Sequence, residues 1–174
     1  MDDSVVVELQ LDRPARSAVV VEARCHLGLP VVVDVPPILD DGTPFPTTHW
    51  LTCPLANIRI ARLEADGGVK AADRDIADDP SLRASWEVSM ARYQRERDLR
   101  LPDDWDGPRP SGGIAGSRHG VKCLHAQYGD TAAGNDNPIG TRVAESIEPL
   151  DCLVPCVATV DGVPARNRDW SEPR

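Results

Sequence analysis

The sequence is short of aromatic side chains and of positive charge. Phe, Trp and Tyr make up only 4% of the 174 residues, so the core must be built mainly from Val, Leu, Ile and Ala. Acidic residues outnumber Lys and Arg by 28 to 19, which gives a formal charge of -9 and an isoelectric point near 4.8. Nucleic-acid phosphates are bound mainly by clustered Lys and Arg, so this balance argues against a nucleic-acid partner.

One local basic run lies within residues 92–100, where glutamate and aspartate interrupt the arginines. Mixed charge signs along a helix are typical of a solvent-exposed face, and we interpret the run in that way. Its members are Arg92, Arg95, Arg97 and Arg100.

Long apolar runs are also missing. No stretch approaches the ~20 apolar residues that a membrane-spanning helix needs, and the acidic start MDDS lacks the basic region of a signal peptide. We therefore predict no membrane insertion and a cytoplasmic location. In a reducing compartment, an odd number of cysteines is expected to be free thiols or metal ligands rather than a disulfide framework. The five are Cys25, Cys53, Cys123, Cys152 and Cys156.

Familiar nucleotide and hydrolase motifs do not occur. The glycine-rich run GGIAG at 112–116 suits a backbone nest for an anion, but it is neither a P-loop nor a dinucleotide-binding fingerprint. No serine nucleophile elbow and no Cys-x-x-Cys pair is present.

Three short runs predict strands. Residues 17–23 (SAVVVEA) and 30–35 (PVVVDV) are rich in Val and bounded by turn residues. Gly28 between them suits a tight turn, so an antiparallel pair is the simplest arrangement. HWLT at 49–52 fits a third short strand.

Helix signals are strongest over residues 80–98. Asp79 is a suitable N-cap, Pro80 suits the first turn, and large side chains recur at three- and four-residue spacing. This pattern predicts a helix with one face toward the core. The face consists of Leu82, Trp86, Met90, Tyr93 and Arg97.

Further helices are predicted over 54–66, where a Gly-Gly pair follows, over 118–133 with Ser117 as its cap, and over 138–147. Residues 4–12 fit either a strand or a short helix. Together the elements predict an α+β fold, in which a small antiparallel sheet of about three strands packs against several helices.

The domain organisation follows from length and composition. We predict one α+β domain over residues 1–150, because this length suffices for a single core. Residues 151–174 are predicted to be a C-terminal extension that is partly disordered, with the apolar run CLVPCVATV adding an edge strand.

The densest group of chemically capable residues lies within 111–140. Lys122, Cys123 and His125 follow one another there. In a regular helix, residues two apart point about 200° away from each other, whereas in an extended segment they share a face. A Cys-x-His chelate therefore requires extended or irregular backbone at Cys123.

Cys123 has three interpretations. In the first, Cys123 and Cys53 belong to one tetrahedral zinc shell. In the second, Cys123 lies near a helix N-terminus beside Lys122, where the helix dipole favours a nucleophilic or redox thiolate. In the third, it is a small buried hydrophobe. Ligands available to complete a zinc shell are Cys25, His49 and His125.

Cys152 and Cys156 are four residues apart with Pro155 between them. Proline makes a helix improbable there, so a shared face is not guaranteed. We place both outside the main predicted site.

A set of motifs resembles the bacterial domain-of-unknown-function 501 family over roughly residues 11–143. The motifs are RCHLGLP at 24–30, DGTPFPTTHWLTCP at 41–54, ARYQRERD at 91–98, GGIAGSRHGVKCLHA at 112–126 and NPIG at 137–140. The family has no established activity. The resemblance implies a small cytoplasmic protein, often encoded beside an exopolyphosphatase and a septum-formation initiator-type protein.

The resemblance extends to individual positions. His49 and His119 depart from the family pattern, and this weakens a functional interpretation of either residue. The resemblance shifts weight toward Cys53, Cys123 and His125 as one site. Positions that match are Cys25, Gly42, Pro44, Pro46, Cys53, Lys122, Cys123, His125, Asn137, Pro138 and Gly140.

We therefore predict a zinc site that is structural with four protein ligands or hydrolytic with one open position. In the hydrolytic case Lys122 offers positive charge to a small anionic substrate, beside Cys123 and His125 as catalytic residues. The predicted ligands of the zinc ion are Cys53, Cys123, His125 and Cys25.

Two alternatives come from other functional classes. One is a metal-free interaction module, in which the Gly/Pro-rich loop at 102–117 and the acidic surface meet a protein partner linked to cell division or polyphosphate physiology. The other is a thiol enzyme that uses Cys123.

Overall fold

The computed structural model describes residues 1–173 of the chain and contains helices and two small sheets. The helices are α1 (Asp3–Leu11), α2 (Pro54–Ala65), α3 (Gly68–Asp78), α4 (Pro80–Asp98), α5 (Leu124–Ala132) and α6 (Pro138–Ile147). The strands are β1 (Val20–Arg24), β2 (Pro30–Asp34), β3 (His49–Leu51), β4 (Val157–Val160) and β5 (Val163–Arg166).

The main sheet is antiparallel, in the order β1-β2-β3. In its register Val33 of β2 lies between Val21 of β1 and Trp50 of β3. The central strand β2 is almost entirely buried, which explains its run of consecutive β-branched residues. The predicted α+β fold with a three-stranded sheet is confirmed.

The core lies where the sheet meets α2, α4, α5 and α6. Two glycines permit close contacts between elements: a side chain at Gly129 would collide with the His49 carbonyl, and one at Gly140 would collide with the Gln127 carbonyl. These contacts bring α5 against β3 on one side and α6 on the other. Core side chains include Val32, Leu55, Ile60, Trp86, Leu124, Tyr128 and Ile139.

The predicted helix over 80–98 is confirmed as α4. Its N-cap Asp79 accepts hydrogen bonds from the backbone N–H groups of Ser81 and Leu82. The interpretation of its arginines as a solvated face is wrong for Arg97, which is only 1% exposed, and for Arg92, which pairs with a buried aspartate.

The structure settles the secondary structure of two regions that the sequence left open or missed. The ambiguous segment 4–12 is largely helical, as α1. A helix that was not predicted, α3, starts within the Gly-Gly pair that follows α2: Gly67 adopts a φ of +88°, and Gly68 is the first residue of the new helix. The pair thus forms a corner between two helices.

The C-terminal extension folds back onto the N-terminal helix. Strands β4 and β5 form an antiparallel hairpin, where a single edge strand was predicted, and Arg166 Nε donates to the Leu9 carbonyl of α1 over 2.7 Å. Arg174, the last residue of the predicted extension, lies outside the described residues. The division at residue 150 stays a prediction.

Across residues 1–173, every helix is too short or too polar to cross a membrane.

Candidate functional site

Helix α5 begins later in the sequence than predicted, so Cys123 lies on extended backbone before the helix. The helix starts at Leu124 rather than Arg118, and Cys123 has φ -158° and ψ 124°. Gly120 adopts a φ of +66° and the next N–H, that of Val121, donates to Asp73 Oδ1 over 2.6 Å instead of entering a helix. The extended geometry that a Cys-x-His chelate requires is present.

Three side chains converge at this point. The Cys123 thiol, the His125 imidazole and the Glu64 carboxylate each bring a potential ligand atom within 4.8 Å of the other two. Glu64 comes from the last turn of α2, Cys123 is the N-cap residue of α5, and His125 lies in the first turn of α5. We refer to these three residues as the α5 cluster.

The hydrogen bonds of the α5 cluster fix the orientation of its histidine. His125 Nδ1 lies 3.2 Å from Glu64 Oε1, and Nε2 lies 3.2 Å from the Asn57 carbonyl oxygen. The Leu124 N–H donates to the same Glu64 oxygen over 2.6 Å. Glu64 is therefore held from two sides through Oε1, while its Oε2 has no hydrogen bond or ion pair within residues 1–173.

The electrostatics favour a charged imidazole in the metal-free protein. Burial lowers the pKa of His125, but the hydrogen bond with Cys123 and the negative charge of Glu64 outweigh it and raise the pKa to about 9. The side chains of His125 and Glu64 are 24% and 28% exposed, so solvent reaches the cluster.

The other predicted site residues lie elsewhere or point outward. Lys122 is exposed on the extended segment before α5. Cys53 is the buried N-cap residue of α2 and lines a different pocket together with Cys25. Burial raises the pKa of Cys53 to about 11. The structure thus brings Cys123 and His125 together with Glu64 and separates them from Cys53 and Cys25.

A second polar group lies at the other end of α5, and the sequence analysis did not identify it. Asp130 has no exposed surface and accepts hydrogen bonds from Arg92 Nη2 at 2.6 Å and from Asn137 Nδ2 at 3.1 Å. His49 Nε2 lies 3.7 Å from its other oxygen and 3.1 Å from Asn135 Nδ2. We call these five residues the Asp130 network.

The Asp130 network does not use its full hydrogen-bonding capacity within residues 1–173. Asp130 Oδ1, His49 Nδ1 and Arg92 Nε are buried without a partner there. Burial lowers the pKa of His49, although the negative charge of Asp130 acts to raise it. The net effect favours the neutral imidazole.

His49 also lines a cleft beside this network. The cleft contains Arg97 and Arg100, yet each guanidinium is already paired, with Asp98 at 2.7 Å and with Asp34 at 2.5 Å. Among the residues that the structure describes, both arginines of the cleft are therefore neutralised by an aspartate, and neither is free to attract an anion.

Glu64 was missed because nothing adjacent to it in sequence marks it as a ligand. The one available signal is its position in the last turn of a helix, where the helix dipole disfavours negative charge. The structure supplies the compensation: Glu64 accepts from the first N–H of α5, a position where the dipole favours an anion.

Comparisons with known proteins give a family and nothing further. No curated protein and no solved structure matches the chain. A family model matches residues 21–145, which include Cys25, Cys53 and the whole α5 cluster. This match confirms the predicted resemblance and covers more than half of the chain. The chain therefore belongs to the family described as "Protein of unknown function (DUF501)".

Proposed function

We propose that this protein binds a divalent transition-metal ion of the zinc type at the α5 cluster. One observation carries the proposal: a thiol, an imidazole and a carboxylate, from two helices, bring their ligand atoms within 4.8 Å of one another. The site differs from the one predicted from sequence, because Glu64 takes the place of Cys53 and Cys25.

The surroundings of His125 suit a metal ligand. Metal-bound histidines usually donate their second ring N–H to a carbonyl or carboxylate, which fixes the ring and its tautomer. Here Nδ1 faces Glu64, and Nε2 lies at hydrogen-bonding distance from the Asn57 carbonyl. A metal at Nδ1 would leave the proton on Nε2, where an acceptor is in place.

The donor set favours zinc and an open coordination position. Zinc accepts sulfur, nitrogen and oxygen ligands, and its catalytic sites keep three protein ligands with water or substrate as the fourth. The cluster offers three ligands and is reached by solvent. We therefore favour the hydrolytic form of the hypothesis over the structural form: the three residues would hold the ion, and the ion would supply the activation of water for hydrolysis. Lys122, exposed beside Cys123, supplies positive charge for an anionic substrate.

A second candidate is a thiol enzyme that uses Cys123. The closeness of the Cys123 sulfur to the His125 ring, within 4.8 Å, favours this candidate. Interactions with Cys123 and Glu64 raise the pKa of His125 against the effect of burial, which favours an imidazolium beside the thiol. In this case Glu64 orients the histidine and no metal is required.

The test is a metal count on purified protein, followed by zinc titration of the metal-free form. We expect Cys123→Ser, His125→Gln and Glu64→Gln each to bind one equivalent less than the wild type. Glu64→Gln is the most informative, because glutamine keeps an acceptor for the Leu124 N–H.

Two exposed residues provide matched controls: His119→Gln and Glu145→Gln should bind as much zinc as the wild type. Equal zinc binding in Glu64→Gln and Glu145→Gln would overturn the metal proposal. Fast alkylation of Cys123 that slows in His125→Gln, without metal, would instead support the thiol enzyme.

A further inference from the structure

Four of the five cysteines of the chain line one small pocket. The fifth, Cys123, belongs to the α5 cluster and does not line this pocket. They come from three distant segments: the end of β1, the residue before α2, and the stretch that follows α6. They are Cys25, Cys53, Cys152 and Cys156. Buried cysteine is common, but the gathering of four from three segments calls for a common cause.

The backbone holds two of these thiols at turns. The N–H of Gly28 donates to the Cys25 carbonyl over 2.9 Å, and Gly28 has a φ of +78°, so Cys25 opens a tight turn. Cys53 lies directly before Pro54, at the positive end of the α2 dipole. At Cys53, hydrogen bonds from the backbone N–H groups of Ala56 and Leu55 oppose the effect of burial, which raises the pKa of the thiol.

The other two sulfur atoms receive N–H groups from side chains. Trp170 Nε1 donates to Cys152 Sγ over 3.3 Å, and Gln10 Nε2 donates to Cys156 Sγ over 3.6 Å. N–H donors stabilise thiolate more than thiol, and such contacts typically support metal-bound sulfur. These donors lie in α1 and near the C-terminus, so distant parts of the chain are directed at the same pocket.

We propose that Cys25, Cys53, Cys152 and Cys156 form a tetrathiolate site for one zinc ion. Four thiolates are a complete ligand set for structural zinc, with no open position. Binding transfers the four thiol protons to solvent and leaves a site with net double negative charge, which the N–H donors offset. The ion fastens the segment after α6 to β1 and α2.

Binding at this pocket requires a rearrangement of the thiols. Within residues 1–173, only the α5 cluster has three ligand atoms that all lie within 4.8 Å of one another. The four sulfur atoms must therefore approach further, by rotation about their side-chain bonds. Cys152 and Cys156 are suited to this, because residues 148–156 lie outside helices and strands.

The inference is independent of the proposed function at the α5 cluster, and a cobalt(II) titration of the reduced, metal-free chain tests both. Cobalt bound by four thiolates absorbs in the near ultraviolet more strongly than cobalt bound by one. We expect two equivalents to bind the wild type, one with each type of spectrum. Cys152→Ser and Cys156→Ser should each lose the tetrathiolate spectrum, while Cys123→Ser, the matched control, retains it.

A second measurement uses the wild type alone, in case the variants fail to fold. With zinc present, the four pocket thiols should resist alkylation, and a chelator should expose all four together, as mapped by mass spectrometry. Equal alkylation rates with zinc and with chelator would overturn the proposal. So would a disulfide between two of these cysteines in the protein isolated under reducing conditions, because it removes two ligands.

Discussion

The two ends of α5 carry polar groups with opposite surroundings. At its N-terminus the α5 cluster is partly exposed, and its three ligand atoms point toward one another. In its C-terminal half Asp130 has no exposed surface and is surrounded by donors from α4 and from the segment before α6. One helix thus supports a candidate binding site and a buried charge network.

The difference shows how accessibility separates the two roles. A buried ion pair contributes through its partners, and removal of one partner leaves an uncompensated charge. Polar groups that meet at the surface are hydrated when separated, so holding them together brings little stability. We therefore expect changes in the Asp130 network to alter stability, and changes in the α5 cluster to alter binding.

The largest effect is expected from Asp130→Asn. The substitution leaves Arg92 without its buried counter-charge, and removal of one partner from such a pair costs on the order of 3–5 kcal/mol. Urea denaturation would measure the change in the free energy of unfolding. The exposed neighbour Asp136→Asn is the control and should change it by less than about 0.5 kcal/mol. Similar losses in both variants would contradict the structural role of the network.

Tyr93→Phe comes next and adds a pH signature. The Tyr93 hydroxyl accepts the Thr48 N–H over 2.5 Å, and loss of such a buried partner costs about 1–3 kcal/mol. Burial raises the pKa of Tyr93 from 10.0 to about 12, so its contribution is complete below pH 10 and is lost as the pH rises through about 12.

Denaturation of the wild type and Tyr93→Phe from pH 8 to 12 measures this contribution. The wild type should lose more stability than the variant between pH 10 and 12, and both should behave alike between pH 8 and 9. Parallel curves up to pH 12 would show that the Tyr93 hydroxyl does not titrate in the folded protein as described.

Glu64→Gln should have a small effect on the stability of the metal-free protein, within about 1 kcal/mol, because its ion pair with His125 is partly exposed. With zinc present the comparison changes. A ligand at 100 times its dissociation constant stabilises the folded state by about 2.7 kcal/mol. Thermal denaturation with and without zinc should show a smaller gain in the variant than in Glu145→Gln. Equal gains would mean that the α5 cluster does not bind the ion.

The smallest effect is expected from Arg142→Ala. Arg142 pairs with Asp75 at 2.9 Å, but their side chains are 48% and 55% exposed. Pairs of this kind contribute about 0.2–1 kcal/mol. The same urea experiment should place this variant nearest the wild type, and a loss as large as that of Asp130→Asn would undo the distinction between buried and exposed charge.

Local signals predicted much of the fold. The cap at Asp79, the proline at the start of α2 and the β-branched runs of β1 and β2 act within a few residues, so they are visible in the sequence. The start of α5 was wrong by six residues because it depends on Asp73, which belongs to α3 and accepts the Val121 N–H. No local pattern contains that contact.

The candidate site was predicted only in part, for the same reason. Cys123 and His125 are neighbours in sequence, and the required extended backbone between them followed from geometry. Glu64 is 59 residues before Cys123 and belongs to another helix, and the partners of Asp130 come from three separate segments. Cys53 was predicted to join Cys123 and His125, but it lines a pocket with other cysteines, and a shared residue type in the sequence does not indicate which residues are close.

The sequence by itself determined most of the helix and strand pattern, the α+β class, the family and the chemical type of the candidate ligands. These properties depend on backbone preferences, side-chain periodicity and residue identity, all of which act locally or are properties of the residues themselves. Only the tertiary structure decided which thiol joins which imidazole and carboxylate, and which arginines are buried. Those relations arise because β3 and α6 pack against α5, and because α2 ends beside the first turn of α5. Packing brings together atoms whose residues are far apart in the sequence.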